Sequence, residues 1–527
     1  MFDTIRTWVP GATTGLVATG AALATAEVTG ALLSRPSATP ILAVGDAVVD
    51  LTPQPVKQFA VDAFGTADKI ALFVGMGVIL AVAAALLGVA AVHRRWIGFA
   101  GLGAFAGAGV LAALTRPDAG PLDVLPTLVG AAACAGVLVL LLGAIAKGRS
   151  GGAEEGPERE EQPQGFDRRR FALLAGSAVA ASAATGVAAR FLAATTAEGR
   201  LTPADVTLPR PAFPAGAVPD GADLELAGLD PFFTPNDEFY RIDTALTIPR
   251  VDASTWSLRI HGLGATERVY TFADLLDRDD LVERDITLAC VSNPVGGSYV
   301  GNARWIGVPL RTLLEEAGVR PPGEGGPADQ LVSRSDDGMT IGTPVADVMD
   351  GRDALIAIGM NGRPLPYKHG FPARMVVPGL YGYVSACKWI VDLELTTFDA
   401  FDAYWVPRGW SARGPIKTQS RIDTPRVTHS EAPGTVVVAG VAWAQHTGID
   451  RVEVRIDDGD WREAVLADED TADTWRQWSY EWAGAEVGEH RISVRATDRD
   501  GRTQTEERAP VAPDGATGHH TIQVTVE

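Results

Sequence analysis

Asp285-Ile286-Thr287-Leu288-Ala289-Cys290-Val291-Ser292-Asn293 decides how the rest of this chain is read. Its first five residues have the β-branched and apolar character of a strand, and Cys290 follows directly, so a thiol is delivered at a strand end. Only three cysteines occur in 527 residues, Cys134, Cys290 and Cys387. Taken alone, Cys290 and Cys387 read equally well as an exported disulfide.

Moving outward, Ser257-Leu258-Arg259-Ile260, Ala373 to Val377 and Trp389 to Leu393 are strand-like. Pro309 to Ala317 reads as a helix ending at Gly318, so the surrounding domain is expected to be α+β. From Tyr404 the pattern changes to short alternating runs: Thr435 to Val438, Arg451 to Ile456, Arg491 to Arg495 and Thr521 to Val526. Turns at Asp457-Asp458-Gly459-Asp460 and Asp498-Arg499-Asp500-Gly501 separate them, which predicts an immunoglobulin-like β-sandwich.

Four groups around Cys290 belong together: Ala303-Arg304-Trp305, His369-Gly370-Phe371-Pro372-Ala373-Arg374, Ser385-Ala386-Cys387-Lys388-Trp389, and the upstream Thr234-Pro235-Asn236-Asp237-Glu238-Phe239-Tyr240. With the cysteine run, they resemble the molybdopterin domain of the sulfite oxidase family. The resemblance covers about Asp230 to Glu527, and Pro415 through Trp443 is similar to the family's C-terminal dimerisation domain. It implies a molybdopterin cofactor carrying molybdenum, with tungsten as the alternative metal. Cys290 is then the metal ligand and catalytic residue, since a soft thiolate suits such a centre beside the pterin's two dithiolene sulfurs. Cys387 reads as core. Asn236, Phe239, Tyr240, Ser335, His369, Arg374, Ser385 and Lys388 are the implied cofactor contacts. An imidazole and a guanidinium five residues apart can supply fixed donors to an anionic pterin phosphate.

Departures from the family bear on substrate. Relatives carry arginines just after the cysteine and before the final lysine, and these hold an anionic substrate. Here Val291-Ser292-Asn293-Pro294-Val295 and Tyr383-Val384-Ser385-Ala386-Cys387 contain none, and Arg241-Ile242-Asp243-Thr244 stands where the family has Arg-Asn-His. This points away from sulfite, and the methionine sulfoxide reductase branch, which also lacks that clamp, is the closer functional comparison. That branch has Asn where this chain has His369. Arg304 is either an anion contact or, beside Trp305, one half of a packing ion pair.

The first 200 residues are of another kind. Gly11 to Leu33, Ile70 to Val92, Trp96 to Leu114, Leu122 to Ala146 and Phe171 to Leu192 have the length and low charge of membrane helices, a span needing about 20 mostly apolar residues. Ile41 to Val49 contains Asp46 and reads as an interfacial loop element. Arg6, His93-Arg94-Arg95, Lys147, Arg149 and Arg168 to Arg170 all fall on one side if the helices alternate, which makes that side cytoplasmic. The fifth span then delivers the remainder outside. Arg168-Arg169-Arg170-Phe171-Ala172-Leu173 reads either as an internal twin-arginine signal or as a positive stop before an ordinary helix.

The expected architecture is multi-domain. It has an all-α transmembrane region with four helices (1–146), a polar cytoplasmic linker (147–167), the twin-arginine-like motif with a fifth helix (168–192) and a Pro-rich extracytoplasmic linker or strap (193–229). The molybdopterin domain (230–403) and the sandwich (404–527) follow. His93 is the only histidine before residue 200, and no Cys-x-x-Cys-His or iron-sulfur spacing occurs, so no haem or iron-sulfur cluster is expected. Electrons would pass to a separate partner, cytochrome or quinone-linked. A formal charge of −20 and a pI near 4.9 exclude a nucleic-acid footprint. The remaining expected partners are the lipid bilayer, a small-molecule substrate and, by the resemblance, a second copy through the C-terminal domain. The rival reading is a membrane-tethered binding protein that has lost catalysis. A transporter with an outer sensor domain is disfavoured by the scarcity of polar groups in the spans.

Overall fold

The fold is taken from a computed structural model that describes all residues except 1, 34, 54–55, 57–58, 61–62, 65–67, 117–118, 148–167, 196–199 and 427–429. The expected polar linker thus lies almost wholly outside the described residues. The chain divides into two compact units, Met1–Arg200 with Ala245–Thr247, and Leu201–Thr244 with Ile248–Glu527.

The first unit is helical: α1 (Phe2–Leu32), α2 (Pro40–Leu51), α3 (Asp68–His93), α4 (Arg95–Leu114), α5 (Leu125–Lys147) and α6 (Arg168–Thr195). Five stretches, Trp8–Leu32, Lys69–His93, Arg95–Leu114, Pro121–Ala146 and Arg169–Ala189, are long and apolar enough to cross a membrane. They fall on the five expected runs. Ile41 to Val49 is not a loop: it is the body of α2, whose Pro40 suits the first helical turn and whose Asp46 pairs with Arg116. α1 and α3 cross at near-backbone contact. A methyl added at Gly15 would lie 1.8 Å from the Ala84 carbonyl oxygen, and one at Gly88 would lie 2.2 Å from that of Gly11, a small-residue approach suited to helices without water between them.

Among its described residues the second unit holds four sheets. One runs in the order β2 (Arg268–Thr271), β1 (Ser257–Gly262), β10 (Ile390–Thr396), β5 (Gln330–Ser335), β6 (Thr340–Pro344), with β1 parallel to β10. Another runs in the order β3 (Val282–Ala289), β4 (Val300–Pro309), β7 (Leu355–Met360), β8 (Arg363–Pro364), with β9 (Arg374–Val376) also paired to β7. Residues of both sheets share one core that includes Leu258, Ile260, Ile286, Trp305 and Leu393. The expected helix is α8 (Leu310–Glu316), the next element after the short α7 (Phe272–Leu276). It buries Leu310, Leu313 and Leu314, and it ends where Gly318 adopts φ 79°.

The other two sheets are antiparallel: one runs in the order β11 (Gln419–Thr424), β12 (Gly434–Trp443), β16 (Arg476–Ala485), β15 (Val465–Leu466), and the other β14 (Arg462–Glu463), β13 (Ile449–Ile456), β17 (Gly488–Asp498), β18 (His520–Val526). Val438, Trp478 and Trp482 from the first and Val452, Ile492 and Val524 from the second share one apolar core. The alternating runs are found in β12 (Gly434–Trp443), β13 (Ile449–Ile456), β17 (Gly488–Asp498) and β18 (His520–Val526).

Strand β3 (Val282–Ala289) carries the key cysteine run and pairs with β4 (Val300–Pro309) so that Asp285 faces Arg304 and Thr287 faces Asn302. Its other edge would be open, and two segments cover it. The Pro-rich stretch acts as a strap, with Phe213 N donating to Leu281 O at 3.1 Å and Phe213 O accepting from Glu283 N at 2.9 Å. Further along, Thr287 N donates to Asp473 O at 2.9 Å, and Trp475 N donates to Thr287 Oγ1 at 2.7 Å. The Trp475 indole, 1% exposed, donates to Phe232 O at 2.9 Å. Trp475→Ala is therefore expected to cost about 3–5 kcal/mol, read as a lower thermal midpoint of the full chain in detergent. A shift of less than a degree would show that this edge is not held from the C-terminal sheets.

Candidate functional site

Cys290 caps β3 at the start of a closed turn. Its N–H donates to Tyr299 O at 2.9 Å, its carbonyl accepts from Asn293 N at 3.1 Å, and Asn293 Oδ1 accepts from Tyr299 N at 2.9 Å. The thiol is 7% exposed and lies 2.9 Å from Ser292 Oγ. Burial pushes its pKa up, opposed by Ser292 and by the positive charge of Lys388. All three cysteines are free, so Cys290 and Cys387 do not form a disulfide. Cys387 is 2% exposed within the core, as expected.

The loop from Pro366 to Arg374 supplies the next two groups. His369 Nε2 lies 2.8 Å from the Asn236 carbonyl, which can only accept, so the proton sits on Nε2 and Nδ1 is left as an acceptor. Desolvation draws the His369 pKa down to about 3. Gly370, at φ 109°, lets the chain fold back: an added methyl would lie 3.0 Å from Arg374 Cβ and 3.2 Å from Lys388 Cα. Arg374 is 5% exposed and stacks over Trp305 at 5.0 Å. Among the described residues its Nη1 and Nη2 reach only the carbonyls of His369 (3.3 Å) and Ala386 (3.4 Å), and its Nε is buried with no hydrogen-bond partner. Desolvation lowers its pKa to about 10.

Lys388 approaches from the other side. Its Nζ donates to Asp243 Oδ2 at 2.8 Å, and Arg241 Nε donates to the same carboxylate at 2.7 Å. Burial draws the Lys388 pKa down to about 8 even so. The next residue, Trp389, has φ 51°, a conformation costly for a bulky side chain. Its indole is fixed on Tyr367 O at 2.8 Å and lies 4.7 Å from Lys388 Nζ, so this strained step aims the ammonium.

The other expected contacts are placed as follows. Tyr240 stacks on Phe239, and its phenol is held protonated by burial, with Cys290 and Arg374 both bearing on it. Phe239 meets His369 and Trp305 edge-on, at 5.6 and 5.9 Å. The Asn236 amide is spent on Met360 O (3.2 Å) and Asn361 (2.8 Å), and the Ser385 hydroxyl on Leu380 O (2.9 Å) and Tyr381 O (3.0 Å). Ser335, on β5 (Gln330–Ser335), bonds the Asp337 carboxylate. Arg304 makes a bidentate pair with Asp285, at 2.7 and 2.6 Å, which is the packing alternative.

Sequence reasoning did not single out Tyr381, Gln419, Trp443 or Ala516. With Ala289, Cys290, Asn293, Pro294 and Gly296 these line a narrow crevice. Three of the four come from beyond residue 403, and nothing local in the sequence points to them.

Does the residue set fit an anionic pterin carrying a metal? A buried guanidinium with no carboxylate is unfavourable unless an anion arrives to share its charge, and Arg374 is in that position. A free, nearly buried thiol with a cation nearby is a competent metal ligand once deprotonated. The set fits.

The buried neutral His369 also predicts an acid sensitivity. Its folded pKa lies below the unfolded value of 6.5, so its stabilising contribution is complete above pH 6.5 and is lost as pH falls toward 3. His369→Gln, which keeps a donor for Asn236 O, should flatten unfolding midpoints between pH 6.5 and 4. Parallel curves for the two proteins would contradict this.

Comparison with known proteins adds the following. A family model described as an oxidoreductase molybdopterin binding domain matches residues 245–405. Sulfite oxidase of Gallus gallus is 30% identical over 328 residues, 53% of this chain and 70% of that protein. Mitochondrial sulfite oxidase of Rattus norvegicus is 28% identical over 322 residues, 53% of this chain and 58% of that protein, so this chain spans under two thirds of its length. Sulfane dehydrogenase SoxCD from Paracoccus pantotrophus overlaps in structure with a TM-score of 0.48 and 23% identity, covering 56% of this chain and 84% of that one.

Proposed function

Since this chain belongs to the sulfite oxidase family of molybdopterin oxidoreductases, we propose that it is a membrane-anchored enzyme performing two-electron oxygen-atom transfer on a small substrate other than sulfite. The observation that carries the reading is the free, nearly buried Cys290 thiol beside a buried guanidinium without a carboxylate, Arg374. Family membership implies molybdopterin with molybdenum, which supplies the oxygen-atom and electron chemistry when bound.

The chain's own residues divide the remaining work. Cys290 ligates the metal. Arg374 and Lys388 hold anionic parts of the cofactor, with Tyr240 and His369 packed beside them. Asn236, Phe239, Ser335 and Ser385 shape the surrounding loops, the polar groups of Asn236, Ser335 and Ser385 being already bonded within the protein. Two-point bonding by fixed donors orients the cofactor and leaves little to reorganise during reaction. The lack of arginine after Cys290 and before Lys388 supports a substrate other than sulfite.

Anchoring rests on the five apolar helices. The placement of Arg6, His93 to Arg95 and Arg168 to Arg170 supports an extracytoplasmic catalytic domain in the cell membrane, with Arg168 to Leu173 as a twin-arginine-like signal. The paired antiparallel sheets after residue 403 support an immunoglobulin-like sandwich that dimerises as in the family. Electrons pass to or from a separate cytochrome or quinone-linked partner. Mediator-coupled turnover of small oxo-compounds by the molybdenum-loaded full chain tests the reading. Loaded protein with no turnover of any of them would favour a binding protein on the same scaffold.

A further inference from the structure

The turn that carries Cys290 is gripped from outside by both C-terminal sheets. Its own bonds close it at the base: Asn293 N donates to the Cys290 carbonyl at 3.1 Å, the Asn293 side chain accepts from Tyr299 N, and the Tyr299 carbonyl accepts from Cys290 N. The rim, Pro294 to Ser298, has one internal hydrogen bond among the described residues, from Gly297 N to Pro294 O at 2.9 Å. A second bond reaches the rim from β11, where Arg421 Nη1 donates to Gly297 O at 3.2 Å. From the other sheet, the ring of His520 at the start of β18 packs on Gly296, so closely that an added methyl would lie 2.1 Å from His520 Cδ2. Ile422 N donates to His520 Nδ1 at 3.0 Å and so ties the two contacts together.

Arg421 is held so as to aim that donor. Its side chain is 6% exposed, and Asp423, equally buried, accepts from Nε at 2.5 Å and from Nη2 at 3.2 Å as a fork. Asp230, half-exposed, accepts from Nη2 as well, at 2.6 Å. With those two nitrogens committed, the rigid plane of the guanidinium leaves Nη1 facing the turn. A displacement at Gly297 is passed inward, because Gly297 packs on Asn293: a methyl added there would lie 2.4 Å from Asn293 Oδ1. Asn293 in turn closes the loop on both Cys290 and Tyr299. The guanidinium is thus linked to the thiol through Gly297 and Asn293.

We propose that Arg421 is a positioning residue for the metal ligand, and that the C-terminal sheets, through Arg421 and His520, hold the Cys290 thiol where it meets the cofactor. This role rests on the reading of Cys290 as the ligand, and it goes further by giving the C-terminal sheets a part in the reaction centre. Arg421 acts only through the Gly297 carbonyl and the turn behind it. Groups that orient a ligand in this way matter to the metal: losing one lowers metal affinity or activity by about 10- to 100-fold.

The test uses the full chain in detergent, molybdenum-loaded and molybdenum-free, and reads the Cys290 thiol directly. Iodoacetamide is the probe: sulfur takes the acetamide group as iodide and a proton leave, and mass spectrometry follows the product at each cysteine. Arg421→Lys keeps a positive charge between Asp423 and Asp230 but lacks the fork needed to serve Asp423 and Gly297 O together. The variant should alkylate at Cys290 about tenfold faster than wild type in both forms, the local opening expected when one charge-assisted bond to a turn is lost. Cys387, 2% exposed in the core, should react at its wild-type rate. Asp230→Asn leaves the Asp423 fork and the Gly297 bond in place and should behave as wild type. If Arg421→Lys does not fold, His520→Ala reads the same rate, since it frees Gly296 and leaves the ion pairs alone. Equal Cys290 rates in wild type and variant overturn the proposal, and so do rates that rise together at Cys290 and Cys387, which report a loss of overall stability. The ligand reading is checked separately, by the shielding of Cys290 in loaded wild type. A loaded wild type whose Cys290 reacts as fast as in the molybdenum-free chain overturns that reading and the proposal with it, whereas equal variant rates with the shielding intact overturn the proposal alone.

Discussion

Cys290→Ser is expected to remove turnover, by more than the roughly hundredfold seen when a group that merely supports a metal ligand is lost, while the protein stays folded. The substitution replaces sulfur by a smaller oxygen at a side chain whose one polar contact, Ser292 Oγ at 2.9 Å, a hydroxyl can keep. The strand behind it is held independently, by the Asp285–Arg304 pair and by the Trp475 contacts to Thr287 and Phe232. The change in stability should therefore stay within about 1 to 2 kcal/mol. Steady-state kinetics and thermal unfolding on the same preparation separate the two effects. Retained turnover at a tenth or more of wild type would mean that the thiol is not a ligand.

The second large effect separates stability from cofactor retention. Arg374 is buried over Trp305, with its Nε unpartnered and its other nitrogens on two long carbonyl contacts. Replacing an uncompensated buried charge by an apolar side chain of similar length is often neutral or stabilising, by about 1–4 kcal/mol. Arg374→Met should thus unfold at the same temperature as wild-type apoprotein or a higher one. The same variant should lose most of its bound pterin, a fall of about tenfold or more for a lost charge-assisted contact. Destabilised apoprotein with normal pterin content would show that the guanidinium is a structural group.

Much of this arrangement was legible in the residue order. The five long helices follow from hydropathy alone, since nothing but length and low charge is needed to recognise them. β3 and the following thiol, α8 with its stop at Gly318, and four of the C-terminal strands follow from periodicity. The helical conformation of Pro40–Leu51 was missed because Asp46 was weighed above Pro40, although proline at a helix start is itself a signal. β16 (Arg476–Ala485) was also missed, despite Trp478, Tyr480 and Trp482 alternating with polar neighbours.

The chemistry divides in the same way. Cys290, His369, Arg374 and Lys388 stand in short motifs, and the structure brings them together. Which of them remain available for a ligand is a different matter. The single donor of His369, the amide of Asn236 and the hydroxyl of Ser385 are taken up by backbone or side-chain partners that only the folded chain supplies. The neutral walls contributed by Gln419, Trp443 and Ala516 depend on how separate sheets meet, which no local pattern encodes. Asp243 could be read as a departure from the family, but its role depends on Lys388, 145 positions away in sequence.

The most direct measurement is molybdenum content together with metal-edge X-ray absorption, on the full chain purified from a host that makes molybdopterin, for wild type and Cys290→Ser. The account predicts about one molybdenum per chain in the wild type and one sulfur ligand fewer in the variant, as expected for a thiolate that ligates the metal. A well-folded wild type without molybdenum, or identical sulfur coordination in the two proteins, would contradict it.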